Sequence, residues 1–130
     1  MRKTNMALKD MQIAFTTDAS GDSTDYGESP ICGRLIAVLY DRGDVVTGAD
    51  LTLTTDRYGV VTTLLSVTDA GTSDLYWMPR TPSQDNTGTA VTYDGTNEIY
   101  EPFLIIGRPK LTVAQGGATK SGAVILVYEE

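Results

Sequence analysis

The chain has 130 residues, which by length is one domain with enough surface to bury a true core. Seventeen acids against ten bases give a net charge of −7, which argues against a nucleic-acid surface, since that needs clustered Lys and Arg to displace counterions. With one cysteine, Cys32, and no histidine, an intrachain disulfide, Ser-His-Asp and Cys-His nucleophiles and an ordinary zinc site are all excluded.

The residue mix, 41% apolar and 21% charged, is that of a globular protein. No apolar run approaches the length of a membrane span. The opening Met-Arg-Lys-Thr-Asn-Met-Ala-Leu-Lys-Asp is basic but lacks the apolar stretch of a signal peptide, and the cysteine usage suits synthesis in a reducing cytoplasm.

Residues 7–17 alternate, with Met11, Ile13 and Phe15 on one side and Gln12, Ala14 and Thr16 on the other, the pattern of a half-buried strand. Residues 18–30 read as a polar loop ending in a proline. Ile31 to Tyr40 is a second strand, apolar on both faces through Leu35, Ile36, Val38 and Leu39. A turn at Asp41-Arg42-Gly43-Asp44 precedes a third strand, where Leu51 and Leu53 alternate with threonines. Asp56-Arg57-Tyr58-Gly59 is a turn, Val60 to Val67 a fourth strand, and Leu75 to Met78 a short strand stopped by Pro79.

After a loop over 80–88, Thr89 to Tyr93 reads as a strand and Asp94-Gly95-Thr96-Asn97 as a turn. Pro102 to Ile106 is strand-like, and Gly107-Arg108-Pro109 should break it. Lys110 to Tyr128 then reads as a β-hairpin: two β-branched runs flank Gln115 to Gly122, which holds three glycines and no large apolar residue. Its last strand, with Val124, Ile125, Leu126 and Val127, is apolar enough to lie inside a sheet rather than at its edge. No apolar stripe repeats at helical spacing. Strands recurring about every 8–12 residues predict an all-β, single-domain antiparallel sandwich or jelly-roll-like fold of about eight strands. Residues 1–15 would form an N-terminal extension plus first strand, and 16–130 the sandwich.

Motifs that could carry chemistry are weak. Gly116-Gly117-Ala118-Thr119-Lys120-Ser121 misses the phosphate-loop pattern, since Thr119 stands before the lysine, Ala114 takes the first glycine position and a strand follows. Asp18, Asp22, Asp25 and Glu28 do not match a calcium-loop spacing and read as a solvated turn. Arg42-Gly43-Asp44 reads as ordinary turn chemistry. Of the adjacent Tyr76 and Trp77, only one can face a ligand, and a lone Trp usually anchors a core. Cys32, opening an apolar strand, is expected to be a small buried hydrophobe. No acid lies in an apolar run that would raise its pKa, so no catalysis, cofactor or metal is expected.

Several segments together resemble a family of small structural proteins of tailed bacteriophages, found among capsid and neck components. They are Thr16 to Asp22, Gly33-Arg34-Leu35, Gly48 to Thr52, Pro79-Arg80 with Gly88 downstream, Tyr93-Asp94 and Lys110 to Gly122, of which Gln115 to Gly122 is the most specific. They run in order from residue 16 to the C-terminus, leaving an N-terminal extension of about a dozen residues outside the pattern. The resemblance implies a virion building block with no catalytic residue to transfer. Within that class the expectation is a capsid decoration or cement protein, made in the host cytoplasm and placed on the capsid exterior, with the major capsid protein and its own copies (dimer or trimer) as partners. A head-to-tail connector or tail component, and a carbohydrate-binding module, are the alternatives.

The two-faced strands leave two readings open. Either both faces are covered within one chain, or one face meets another subunit. On the second reading the candidate interface is Leu35, Ile36, Val38, Leu39, Ile125 and Val127, with Arg2, Lys3, Met6 and Leu8 of the basic N-terminal segment clamping a neighbour.

Overall fold

A computed structural model describes residues 7–130 as all-β, with ten strands: β1 Leu8–Thr16, β2 Ser23–Tyr26, β3 Ile31–Asp41, β4 Asp50–Arg57, β5 Val60–Val67, β6 Leu75–Trp77, β7 Arg80–Pro82, β8 Tyr100–Pro102, β9 Leu104–Ala114 and β10 Ser121–Glu129. Every strand pairing is antiparallel. The chain is therefore the β-sandwich expected, with more strands than the sequence reading counted.

One layer runs β1-β10-β3, with β6 on the far edge of β3. The other runs β2-β9-β4-β5. Met11, Ile13, Phe15, Leu35, Val38, Tyr40, Val124 and Leu126 from the first layer meet Leu51, Leu53, Leu64, Leu111 and Val113 from the second in one buried cluster. Period-two alternation makes this possible on β1, where every second residue from Met11 to Phe15 is buried. On β3 the buried residues Leu35 and Val38 are three apart, which a regular strand cannot place on one face. The register slips there: Val127 pairs with Ala37 but Tyr128 with Leu35, so Ile36 is the extra residue of a β-bulge. As expected, the apolar β10 is interior to its sheet, between β1 and β3.

Four local expectations are corrected. β9 and β10 do not form a hairpin, because β9 pairs with β2, β3 and β4 while β10 pairs with β1 and β3. Gln115 to Lys120 instead arches from one layer to the other and is clamped to the loop after β1. There the Gly116 N–H donates to the Gly21 carbonyl (2.8 Å), and the Lys120 N–H donates to Thr17 Oγ1 (2.8 Å). Glycines fit such an arch as well as a hairpin tip, which is why composition misled.

Second, Gly107-Arg108-Pro109 does not break the chain. β9 runs through it, pairing with β3 up to Gly107 and with β4 from Arg108 onward, so one strand serves both layers. Gly107 makes the switch with φ +131°, and a Cβ there would stand 2.9 Å from the Asp56 carbonyl carbon and closer still to its oxygen. Third, Thr89 to Tyr93 is no strand: it makes single bridges, Gln84 with Ala90 and Thr92 with Glu98, inside an exposed arm between β7 and β8. Fourth, the polar loop 18–30 contains β2, which pairs through its backbone with β9 at Val113 to Lys110 and buries no large side chain, so hydrophobic pattern could not reveal it.

Candidate functional site

The residues weighed for chemistry are engaged in holding loops. Asp18 accepts the Ser20 N–H (2.8 Å) and Asp22 N–H (3.1 Å), and these donors, that of Asp22 foremost, hold its carboxyl below the usual range. Asp25 bonds to Ser23 within β2. In the turn after β3, Arg42 Nε donates to the Val45 carbonyl (2.6 Å), and Asp44 accepts the Ser121 N–H (2.7 Å), so the charged ends of Arg42-Gly43-Asp44 point into the fold's own backbone. Among the described residues no three or more His, Cys, Asp or Glu gather as metal ligands. No helix there is long and apolar enough to cross a membrane.

Trp77 packs on the core and stacks on Tyr40, with ring centroids 6.1 Å apart, while Tyr76 points outward, as adjacent strand residues must. Cys32 is exposed, opposite Ile106 on the outer side of β3, which corrects its expected burial. It misses the core because Ile31 takes the inward position at that end of the strand.

The candidate interface residues separate. Leu35 and Val38 are fully buried (0% exposed) in the sandwich core, so neither lies on a surface, and the candidate set narrows accordingly. Leu39 and Ile125 are half-buried on the opposite, outer face, where they form a cross-strand row: Gln12, Ile125, Leu39 and Tyr76 stand side by side on β1, β10, β3 and β6. Val127 lies two residues along β10 from that row, half-buried, and Ile36 is the half-buried bulge residue. Leu8 is exposed near the outer end of β1, opposite Glu129. Arg2, Lys3 and Met6 lie outside the described residues. Lys9 pairs with Glu130 (2.7 Å), whose carboxylate raises the lysine pKa through that bond.

A second surface went unread in the sequence. The β4–β5 hairpin carries Tyr58 (91% exposed), Val60 (69%) and Val61 (61%), and β9 adds Leu104 (61%) beside Ile106. Arg57, Tyr58, Val60, Thr62, Leu104 and Ile106 line one open cleft of about 350 Å³. On the other face of the hairpin, Tyr26, Thr54, Asp56, Val61, Arg108 and Lys110 line a second. The signal in the sequence was the paired Val60-Val61 directly after a tight turn, in a strand without a charge.

The exposed arm between β7 and β8 is built on two aspartates. Asp85 accepts from the Thr87 hydroxyl and from the Thr87 and Thr89 N–H groups, and Asp94 accepts from the Thr96 and Asn97 N–H groups. Those donors lower both pKa values, the Thr87 side chain most for Asp85 and the Asn97 backbone most for Asp94. The chain matches no protein-family model, and no curated protein matches it.

Proposed function

We propose that this protein is a capsid decoration or cement protein of a tailed bacteriophage, one that binds the outside of the shell and stabilises contacts between capsomers. Two things support the reading. The ordered run of segments from Thr16 to Gly122 resembles small virion proteins. The observation that carries the contact role is that the sandwich closes its core and still leaves two apolar surfaces, the Ile125-Leu39-Tyr76 row and the hairpin end with Val60, Val61 and Leu104. Surfaces of this kind mark interaction sites rather than stability. Repeated on a symmetric shell, individually weak contacts act together by avidity.

Binding to shells stripped of the protein tests this. Leu39→Lys with Ile125→Glu places a complementary charged cross-strand pair in the middle of the outer row, on the face away from the core. The double variant should keep its melting temperature within a few degrees and lose shell binding. Unchanged binding by the folded double variant would remove this face from the contact.

A further inference from the structure

Arg108 and Lys110 stand two residues apart on β9, on the outer side of the second layer, where Lys110 pairs with Tyr26 of β2. With Tyr26, Thr54, Asp56 and Val61 they line a cleft of about 180 Å³. Arg108 is set in place: its Nε donates to the Gly27 carbonyl (2.7 Å) and its guanidinium lies over the Tyr26 ring (5.3 Å). That leaves the terminal nitrogens as a fork, the geometry that takes a carboxylate in two parallel bonds. The acid of the cleft, Asp56, turns back to accept the Gly59 N–H (2.9 Å). Neither cation has a carboxylate within salt-bridge distance among the described residues, although the chain carries −7 overall. The space is smaller than the roughly 300 Å³ at which small-molecule sites begin, and is the size for a side chain.

The chain carries a group of its own that answers this cleft. The arm from Ser83 to Ile99 exceeds the roughly 12–15 residues beyond which a connection is usually functional. From Gln84 to Tyr100 only Ala90 and Val91 are even half-buried. Its shape is nonetheless fixed by its own backbone, since the Val91 N–H donates to the Ser83 carbonyl (2.8 Å) and the Ile99 N–H to the Val91 carbonyl (3.0 Å). Between Arg80 and Arg108 the chain has no base, and its acids are Asp85, Asp94, Glu98 and Glu101. Asp85 and Asp94 hold the arm's turns, and Glu101 accepts the Ser83 hydroxyl (3.0 Å). Glu98 has no cation within salt-bridge distance among the described residues, and it lies on the same turn as the exposed Tyr93.

The arm does not meet the cleft within one chain. At its base, Asp85 and Glu101 line a recess with Thr62 and Leu104, whereas the cations share theirs with Val61. Val61 and Thr62 are neighbours on β5 and point to opposite faces, so the β4–β5 hairpin stands between arm and cations.

We infer that the arm of one copy docks on the cleft of the next, with the Glu98 carboxylate on the Arg108 fork and Lys110. An acidic, protruding element thereby meets cations that have no acid of their own. Two different surfaces meet, so the contact is heterologous and closes into a ring or runs on as an open chain. This self-association goes beyond the shell reading and does not rest on it.

Sedimentation velocity of the full chain tests this, under reductant because Cys32 is exposed, across protein concentration and salt. The parent should form species larger than the 14.0 kDa monomer that dissociate as salt rises. Glu98→Lys and Lys110→Glu should each weaken association about tenfold or more. An equimolar mixture of the two variants should associate again, because the intact arm of one meets the intact cleft of the other; loss of fold cannot produce that recovery. The inference is overturned if the parent is a monomer at every concentration, which would leave the cleft to an acidic segment of a different protein. Association that neither charge reversal weakens, or a mixture that stays monomeric, overturns it as well.

Discussion

Replacing Gly107 with alanine tests the device that joins the two layers. Gly107 sits at φ +131°, a conformation that L-residues scarcely adopt, and holding a side chain there costs about 1–3 kcal/mol. A Cβ would in addition press on the Asp56 carbonyl, 2.9 Å from its carbon, and the obstructing atoms are backbone. Relief would require β9 and β4 to part just where Arg108 pairs with Asp56. Together these put the loss at about 3 kcal/mol or more, a large share of the roughly 5–15 kcal/mol that holds a domain of this size folded. Urea unfolding followed by tryptophan fluorescence measures it, since Trp77 packs on the core. A fall in melting temperature of about 10 °C or more is expected. A loss below about 1 kcal/mol, with unfolding still cooperative, would refute the argument that only glycine permits β9 to change layers.

Leu126→Ala, at a fully buried site, should cost about 2–5 kcal/mol, whereas Ile125→Ala on the outer face should cost about 1 kcal/mol or less; denaturant midpoints compare the two. The Tyr40 hydroxyl is buried without a partner, and burial raises its pKa, so Tyr40→Phe should leave calorimetric stability unchanged or slightly higher. Asp18, Asp85 and Asp94 have pKa values lowered in the fold from the ordinary 3.8. Their contribution is therefore fully present above that value and is lost as pH falls below it through the folded values. Melting temperature followed from pH 5 downward should drop less for a variant with asparagine at all three positions than for the parent chain.

How far the sequence revealed this fold depends on where the hydrophobic signal was strong. β1 and β10 were legible because alternation and apolar density are direct consequences of burial on one face or inside a sheet. The hairpin of β4 and β5 was legible through its turn. β2 was silent because its pairing uses only backbone, and β9 was split in two because Gly107 and Pro109 look like breakers when they mark a change of layer. For the surfaces, the two-faced strands offered Leu39, Ile125 and Val127, which lie half-buried on the outer side, together with Leu35 and Val38 on the core side, and without the bulge at Ile36 nothing distinguished the two groups. The cleft of Arg108 and Lys110 joins residues from β2, β4, β5 and β9, a juxtaposition that spacing along the chain does not encode.

The most direct test of the central claim is the copy number and position of this protein in purified particles, by quantitative gel densitometry together with an electron-microscopy map. A decoration protein predicts on the order of hundreds of copies on the outer shell surface, following its symmetry, with an apolar face turned toward the capsomers. About a dozen copies or fewer confined to the neck or tail, or none in the particle, would contradict it.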